Sequence, residues 1–394
     1  MISVTQALET LVELCPVLPC ETVPLRDAAG RVLGRDVITN RDQPPFAAAS
    51  MDGYAIAAAR TKPGAVFRVI GESAAGNRFA GNVGNGEAVR IFTGAPVPKG
   101  ADLVMMQENT HRDGDNVILS EDFDLQQNIR AAGTDFKAGS KVSAPRLLTP
   151  AHVALLAAMN IAEVPVTRRP VVALIATGDE LVMPGDEPGP DQIIASNGFG
   201  LAAMLQAAGA EARLLPIARD NRAALEFALR LAEGADMIVT IGGASVGDHD
   251  IVHRVASDAG LKTAFHKVAM RPGKPLMAGV LDGVPLIGLP GNPVSAMICG
   301  QVFLLPCLTK MLGLGARAPA RETAVLGSPL AANGGREHYM RARLGIENGA
   351  LTVWPAPRQD SALLSVLADA HALLVRPPLD PVRETGEPVQ ILRL

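Results

Sequence analysis

The pattern of hydrophobic and polar residues changes its period along the chain. Near the start, the apolar residues recur at the spacing of an α-helix: Val4, Ala7, Leu8, Leu11 and Val12. This spacing predicts a short amphipathic helix over about residues 3–15. From about residue 23 to 142 the apolar segments become short and are separated by Gly, Pro, Asn and Asp, which predicts a β-rich lobe. Helical spacing returns after Thr149 and Pro150, a capping residue followed by a residue suited to the first helical position.

From residue 170 onward, continuous apolar segments alternate with helical ones. The predicted strands include VVALIAT, DMIVTIGG and VPLIGLPG, and the predicted helices cover about 198–208, 221–233, 250–259 and 293–312. Strands that are apolar throughout are typical of a parallel sheet covered by helices on both faces. The pattern therefore predicts a doubly wound, mostly parallel α/β domain. A linker near 313–322 then leads to short β segments, which predict a small C-terminal β domain.

The predicted fold class is therefore α/β plus β, in an elongated multidomain chain. Its parts are an N-terminal region of helical and linking segments at 1–165, with a β-rich lobe inserted at about 53–140, an α/β domain at 170–312 and a β domain at 320–394. A chain of 394 residues exceeds what one hydrophobic core usually serves, and 48% hydrophobic residues suffice for a core in each part.

Composition and charge narrow the range of partners. The net charge of −4 provides no basic field for nucleic acid or for an anionic membrane surface. No run of about 18 uninterrupted apolar residues and no basic leader segment occurs, so we expect neither a membrane span nor export. Cys15, Cys20, Cys299 and Cys307 lie in apolar contexts without CxxC spacing. They indicate buried free thiols in a reducing compartment, by default the cytoplasm.

The polar residues of the α/β domain collect where its strands end. In an open parallel sheet the ligand lies beyond the carboxyl ends of the strands. Four such ends are polar or rich in glycine: Thr177–Glu180, Arg219–Asp220, Gly242–Asp250 and Pro290–Pro293. Glu180, Asp220 and Asp250 come to one edge, where they repel one another unless Mg²⁺, another hard divalent cation or a cationic substrate lies among them. Each carboxylate alone is equally well explained as a helix cap.

The loop from Gly242 to Gly247 leads from a strand into a helix. Its backbone N–H groups, together with the Ser245 hydroxyl and the helix N-terminus, predict a site for a phosphate or a similar oxyanion. The letters GASVG also match the nucleophile elbow of serine hydrolases. That alternative stays open, although it leaves the TGDE and RPGKP segments without a role. Labelling of Ser245 by a fluorophosphonate probe would decide in its favour.

Two proline–glycine elbows flank an apolar strand in the segment 271–295. The first, RPGKP, carries Arg271 and Lys274, and the second, PGNP, carries Asn292. Pro and Gly fix backbone directions that other residues resist, so their use beside cationic side chains predicts the wall of an anion pocket. Tight turns of an α/β fold are the plainer explanation. Lys267 adds positive charge nearby, although isolated cations are most often solvated surface residues.

Several separated motifs together resemble one family. They are PPF at 44–46, SMDGYA at 50–55, FTGA at 92–95, GAD at 100–102, NIR at 128–130, TGDEL at 177–181, the GGxSxGxxD loop, Met270–Pro275 and Gly288–Ser295. In this set the chain is similar, nearly end to end, to the molybdopterin molybdenumtransferases, the molybdenum insertases that include the E domain of gephyrin. The resemblance implies a reaction of adenylylated molybdopterin with molybdate that yields molybdenum cofactor and AMP, assisted by Mg²⁺.

The resemblance also implies roles for single residues. The catalytic residues would be Asp52, Thr93 and Asp135 in the N-terminal part and Glu180, Asp220 and Asp250 at the strand ends. In a homodimer the first three would face the partner's α/β domain, and the last three would place the metal and the phosphoanhydride. The phosphates and the pterin would be held by Asn197, Gly242, Gly243, Ser245, Gly247, Lys267, Pro290, Asn292 and Pro293. The molybdate side would comprise Arg271, Lys274, Arg341 and Ser361.

Further partners implied by the resemblance are other enzymes of cofactor synthesis and apo-molybdoenzymes. Two alternatives remain besides the hydrolase. A non-catalytic scaffold of the gephyrin kind has no need of the carboxylates and elbows that this chain keeps, and the adenylyltransferase of the preceding step would not require residues 1–165. The chain departs from its relatives at Ala195, where an acidic residue is common, and at Arg271, where lysine is common. Asn197 is expected to keep its role as a helix cap.

Overall fold

The computed structural model describes residues 1–243 and 251–394 of the chain. Over this range it has an N-terminal part rich in short strands, a central part in which strands and helices alternate, and a small C-terminal part built mainly of strands. Each part contains buried hydrophobic clusters of its own. The α/β plus β fold class predicted from the hydrophobic pattern is therefore confirmed.

Helix α1 (Val4–Leu14) opens the chain, as its apolar spacing predicts. Ser3 caps the helix, because its hydroxyl accepts a hydrogen bond from the N–H of Gln6 while the Gln6 side chain accepts one from the N–H of Ser3. The buried face of the helix packs into the core of the central part through Val4, Ala7 and Leu11. The beginning of the chain is thus fastened to the central part.

The remaining elements of the N-terminal part are short strands and one helix. They are β1 (Cys20–Pro24), β2 (Val32–Leu33), β3 (Val37–Ile38), β4 (Ala48–Ala49), β5 (Gly53–Ile56), β6 (Val66–Ser73), β7 (Glu87–Ile91), β8 (Leu103–Met106), β9 (Thr110–Asp113), β10 (Asn116–Leu119), β11 (Ile129–Arg130), β12 (Lys141–Val142), β13 (Arg146–Leu147), α2 (Pro150–Ala158) and β14 (Glu163–Thr167). One sheet has the order β8-β5-β7-β6-β10-β9 and another the order β1-β14-β2-β13, with ribbons β4-β11 and β3-β12. Helix α2 begins at Pro150 after a Thr149 cap, as predicted.

The central part alternates strands and helices. Its elements are β15 (Val171–Ala176), β16 (Leu181–Val182), β17 (Ile193–Ile194), α3 (Asn197–Ala207), β18 (Glu211–Leu214), α4 (Arg222–Leu231), β19 (Met237–Ile241), α5 (Ile251–Asp258), β20 (Lys262–His266), β21 (Met270–Arg271), β22 (Met277–Leu281), β23 (Val284–Leu289), α6 (Pro293–Cys299) and α7 (Leu305–Met311). The sheet order is β18-β15-β19-β23-β22-β20, with the first four strands parallel. Val172 and Leu174 face one hydrophobic cluster and Ala173 and Ile175 the other, which explains why the strand is apolar throughout.

One prediction in this region is wrong. The apolar segment between the two elbows is not a single strand but the hairpin β22–β23, which turns at Asp282 and Gly283. Both turn residues have positive φ, 50° and 83°, the combination that a two-residue hairpin turn requires and that Asp-Gly favours. The hairpin brings the start of β22 beside the end of β23, since Met277 pairs with Gly288. The two elbows therefore lie next to each other.

The predicted helix at 293–312 consists of α6 and α7 joined by a π-helical turn at 300–304. Within residues 1–243 and 251–394, it is the one helix whose length and apolar composition would suffice to cross a membrane. Its most apolar window is, however, 72% buried inside the fold. Val294, Ile298 and Phe303 lie in the main hydrophobic core. The apolar composition is thus accounted for by packing.

The C-terminal part is a small closed barrel. Its elements are β24 (Glu322–Leu326), β25 (Glu337–Glu347), β26 (Ala350–Pro355), α8 (Leu364–Ala368), β27 (Ala372–Arg376) and β28 (Pro388–Arg393). The order β25-β26-β24-β28-β27 closes because β27 also pairs with β25. Strand β21 of the central part joins β25 in parallel and places Arg271 opposite His338. The first elbow is thereby connected to the barrel.

The cysteines agree only in part with the expectation of buried thiols. Cys15, Cys299 and Cys307 are buried and free, whereas Cys20 is free but exposed. Cys299 lies under the first elbow, where a Cβ added to Gly273 would lie 2.7 Å from the Cys299 sulfur. Burial raises the pKa of the Cys299 thiol far above its ordinary value, so this thiol stays protonated and serves packing.

Candidate active site

The carboxyl ends of the central strands open into a cavity of about 570 Å³. Eight of the predicted site residues line its wall: Glu180, Asn197, Asp220, Gly242, Gly243, Pro290, Asn292 and Pro293. The loops after β15, β19 and β23, which are neighbours in the sheet, supply most of this wall, as an open parallel sheet requires. The predicted residues Ser245, Gly247 and Asp250 lie outside the described residues.

Both proline–glycine elbows reach this cavity. Pro275 of the first elbow and Pro290–Pro293 of the second belong to its wall. They meet there because the hairpin β22–β23 aligns the residues that follow the first elbow with those that precede the second. The two elbows therefore serve one cavity, a point that their separation in sequence leaves open.

Two glycines shape the backbone where β19 enters the cavity wall. Gly242 and Gly243 have φ values of +94° and +64°, in the region that favours glycine. A Cβ on Gly242 would lie 2.7 Å from the carbonyl oxygen of Thr177, and one on Gly243 would lie 2.3 Å from a methyl group of Val252. Any larger residue would force the neighbouring backbone apart. The glycines thus keep the strand end close to the loop after β15.

An arginine and an aspartate hold the loops that carry two of the predicted carboxylates. Arg219 Nη1 donates to two carbonyl oxygens, those of Asp179 at 2.7 Å and Leu181 at 3.3 Å. These carbonyls lie on either side of Glu180. Asp179 Oδ1 in turn accepts a hydrogen bond of 3.1 Å from the N–H of Asp220. Arg219 and Asp179 are not among the predicted site residues, although both stand inside the strand-end motifs.

The Asp220 carboxyl lies in a negatively charged environment. Partial burial and then the charges of Asp179 and Glu180 raise its pKa above the ordinary value. In the described part of the chain, no three acidic, histidine or cysteine side chains cluster in a way that could hold a metal ion. Mg²⁺ commonly takes only one or two carboxylates together with substrate phosphates. The hard oxygen donors of Glu180 and Asp220 therefore fit such an ion.

Asn197 lies in the cavity wall but does not cap its helix. The cap position of α3 is Ser196, whose side chain makes no capping bond. Asn197 Nδ2 instead donates a hydrogen bond of 2.7 Å to the carbonyl oxygen of Gly291 in the second elbow. The expectation of a cap is wrong, because the amide is used to tie α3 to the elbow.

Arg341 is fully buried beside the loop that follows β26. Its Nη2 donates to the carbonyl oxygens of Arg358, at 3.3 Å, and Asp360, at 2.9 Å. Its Nε and Nη1 have no hydrogen-bond partner among residues 1–243 and 251–394. The same loop reaches the cavity, since Ala362 belongs to the wall and the Ser361 carbonyl accepts a bond of 3.1 Å from the N–H of Val294. Arg341, in β25, thus contacts the loop that carries Ser361, and this loop reaches the cavity wall.

The predicted cations near the first elbow are not in the cavity wall. Arg271 is exposed, Lys267 and Lys274 are half-buried, and none of the three forms an ion pair within the described ranges. Lys267 has a φ of 89°, which is unusual for a lysine. His338, opposite Arg271, is buried, and this burial and then the charges of Arg271 and other arginines lower its pKa to about 4. His338 is therefore neutral at pH 7.

The predicted residues of the N-terminal part also lie outside this wall. Asp52 Oδ1 accepts two hydrogen bonds from Thr93, at 2.7 Å from its N–H and 2.8 Å from its hydroxyl. These bonds, with a smaller contribution from the charge of Arg90, lower the pKa of Asp52. Asp135 lines a second cavity of about 640 Å³ together with Arg130. Within one chain, the structure does not bring these residues into the first cavity.

Comparisons with known proteins identify the family. Residues 2–160 match the MoeA N-terminal region (domain I and II), residues 173–310 the "Probable molybdopterin binding domain", and residues 323–394 the MoeA C-terminal region (domain IV). A protein of Mycobacterium tuberculosis named molybdopterin molybdenumtransferase 2 is 36% identical over 365 residues, which cover 90% of each chain. The chain belongs to the molybdopterin molybdenumtransferase family.

Other members and solved structures agree. The molybdopterin molybdenumtransferase of Haemophilus influenzae is 35% identical over 382 residues, covering 95% of this chain and 94% of its own. A molybdopterin biosynthesis moeA protein from Pyrococcus horikoshii matches with a TM-score of 0.85 and 29% identity, covering 100% of both chains. A molybdenum cofactor biosynthesis protein from Pyrococcus furiosus, with a TM-score of 0.60, 20% identity and 100% coverage of both chains, shares the fold. The resemblance in the motifs is confirmed, and these matches do not support the serine hydrolase or scaffold alternatives.

Proposed function

We propose that this protein inserts molybdate into adenylylated molybdopterin, releasing AMP and forming the molybdenum cofactor. The names of relatives at 35–36% identity support a transferase of this kind. The observation that carries the proposal is the cavity at the strand ends. Its wall combines the glycine turn, two carboxylates and both elbows, and it adjoins the loop that holds a buried arginine with two unused donor nitrogens.

The cavity suits adenylylated molybdopterin, the larger substrate. Its volume of about 570 Å³ falls within the range of pockets that enclose small molecules. Gly243 leaves the backbone bare at the strand end, which allows phosphate oxygens to approach it closely, while the Gly242 N–H donates to the Leu289 carbonyl oxygen. In the proposed arrangement, the amides of Asn197 and Asn292 and the prolines of the second elbow orient the pterin and its phosphate.

Arg341 forms the centre of the proposed molybdate side, together with Arg271, Lys274 and Ser361. Buried N–H groups without a partner are costly, and an oxyanion that accepts a hydrogen bond from Nε or from Nη1 would satisfy one of them. The reaction brings molybdate towards a phosphoanhydride, so mutual repulsion raises the barrier. Cationic groups fixed in advance lower that barrier.

Glu180, Asp220 and Asp250 are the proposed ligands of Mg²⁺. Such an ion supplies charge neutralisation at the phosphate oxygens. The chain's own contribution is to hold the two described carboxylates in place through Arg219 and Asp179. The raised pKa of Asp220 supports a cation here, because a nearby positive charge would remove the repulsion that raises it.

We also propose that the active site is shared across a homodimer. Asp52, Thr93 and Asp135 would then face the cavity of the partner. Exposed apolar side chains next to both regions support a subunit contact: Met51 is 46% exposed beside Asp52, and Ile193 is 59% exposed at the cavity. The free thiols suit the reducing cytoplasm. Other enzymes of cofactor synthesis and apo-molybdoenzymes are the proposed macromolecular partners.

The test is an insertion assay with defined substrates. The protein is incubated with adenylylated molybdopterin, molybdate and Mg²⁺, and AMP release is followed together with the formation of cofactor that activates an apo-molybdoenzyme. We expect AMP release to depend on molybdate. No molybdate-dependent AMP release would refute the function, and covalent labelling of Ser245 by a fluorophosphonate probe would favour the hydrolase.

A further inference from the structure

The Gln359 side chain binds the backbone of Arg341, and the Arg341 side chain binds the backbone on either side of Gln359. We propose that Gln359 is a positioning residue that fixes the Arg341 guanidinium for molybdate binding. The inference rests on the proposed function, because it takes the Arg341 guanidinium to be the molybdate ligand. It concerns a residue that makes no contact with the substrate itself.

The Gln359 amide completes the edge of the barrel at Arg341. Its Oε1 accepts a hydrogen bond of 3.0 Å from the N–H of Arg341, and its Nε2 donates one of 2.9 Å to the Arg341 carbonyl oxygen. The pairing between β25 and β26 ends at Ala342, so the side chain continues the ladder by one residue. A third bond, from Nε2 to the carbonyl oxygen of Ala356 at 2.9 Å, fixes the other end of the amide.

The Arg341 side chain in turn binds the loop that carries Gln359. Its Nη2 donates to the carbonyl oxygens of Arg358 and Asp360, which lie immediately before and after Gln359 in the chain. One nitrogen of the guanidinium is therefore committed to the loop, and the plane of the group is set by where Gln359 places these two carbonyls. Nε and Nη1 remain without a hydrogen-bond partner in the described part of the chain.

The clamped loop also leads directly to the cavity. The Asp360 side chain accepts a bond of 2.8 Å from the N–H of Ala362, a residue of the cavity wall. Between them, the Ser361 carbonyl is bonded to Val294 at the start of α6. A shift of Gln359 would thus move the Arg341 guanidinium and Ser361 together. Both would then move relative to the second elbow, which is proposed to orient the pterin.

The test measures the kinetic constants for each substrate separately. Gln359→Ala removes the three bonds, and Gln359→Glu keeps the acceptor but cannot donate to the carbonyls of Arg341 and Ala356. For both variants we expect the KM for molybdate to rise by about tenfold to a hundredfold, the range for the loss of two hydrogen bonds. We expect kcat at saturating molybdate within about twofold of wild type and an unchanged KM for adenylylated molybdopterin.

Gln390→Ala is the matched control, because Gln390 lies in the same barrel and makes one exposed hydrogen bond to Thr323. Thermal unfolding identifies any variant that fails to fold, in which case the other Gln359 variant decides. Arg341→Met separates the two hypotheses. If Arg341→Met raises the KM for molybdate and neither folded Gln359 variant does, the positioning role is refuted. If Arg341→Met leaves that KM unchanged, the proposed molybdate site itself is wrong.

Discussion

Asp220 and Asp52 are both predicted catalytic carboxylates, but their surroundings act on them in opposite directions. In the central cavity, partial burial and the charges of Asp179 and Glu180 raise the pKa of Asp220. In the N-terminal part, two hydrogen bonds from Thr93 lower the pKa of Asp52. The Asp220 carboxyl is thus crowded by like charges, whereas one oxygen of Asp52 accepts two fixed hydrogen bonds.

The difference indicates two kinds of site. A carboxylate such as Asp52, held by fixed donors, is ready as a rigid acceptor whether or not a ligand is present. In a partly buried carboxylate crowded by like charges, such as Asp220, a bound cation would offset both the burial and the repulsion. The proposed metal would therefore bind in the central cavity, and the proposed role of Asp52 and Thr93 is that of preformed contacts.

Replacing Asp220 should have the largest effect on the reaction. We expect Asp220→Ala to lower the rate of molybdate-dependent AMP release by about 10²–10³, as for the removal of one well-placed group of an electrostatic site. Asp250→Ala should do the same. The fold should persist, because Asp220 lies in the loop between β18 and α4 and belongs to no hydrophobic core. Cofactor formation is the measurement, with circular dichroism as the check on folding, and unimpaired synthesis by both variants would count against the metal site.

Removing one hydrogen bond at Asp52 should have a smaller effect. Thr93→Val keeps the shape of the side chain and the backbone donor but loses the hydroxyl bond of 2.8 Å. We expect activity to fall about tenfold, the value for one hydrogen bond to a charged group. Thr110→Val, which removes a hydroxyl bond to Gln107 in the same part of the chain, is the control. Equal activities of the two variants would contradict a role for the Asp52–Thr93 pair.

The smallest expected effects concern how thermal stability depends on pH, and they test the difference between Asp220 and Asp52 most directly. Because folding raises the pKa of Asp220, its stabilising contribution is full below about pH 4 and is lost as the pH rises through the folded pKa. Asp220→Asn should therefore raise the unfolding temperature of the metal-free protein at pH 7. The gain should vanish near pH 4.

Asp52→Asn should behave in the opposite way. Folding lowers the pKa of Asp52, so its contribution to stability is present above about pH 4 and is lost as the pH falls through the folded pKa. The variant should unfold at a lower temperature than wild type at pH 7, and the difference should shrink in acid. Differential scanning fluorimetry at both pH values measures both variants. A shift of the same sign for Asp220→Asn and Asp52→Asn would remove the distinction between the two sites.

The strand-end carboxylates, the glycine turn and both elbows could be predicted from the sequence, because ligands bind at one edge of a parallel sheet. The loops at that edge can be located from the hydrophobic periodicity of the strands and from the turn-forming residues that follow them. The bonds that orient these residues were not predictable. Arg219 and Gln359 act through carbonyl groups of distant loops, and no local pattern marks a side chain whose partner is a backbone atom. Asn197 was mistaken for a cap for the same reason, since its partner at Gly291 is 94 positions away.

The sequence by itself determined the α/β plus β organisation and the residue types that lie at the edge of the sheet. Apolar period and turn residues act over a few positions, and they are written directly in the chain. Only the tertiary structure decided that the two elbows serve one cavity, because that depends on the hairpin turn at Asp282 and Gly283. It alone also showed that Asp220 is crowded and Asp52 is satisfied, since the pKa of a carboxylate depends on charges and donors that the fold brings within a few ångströms.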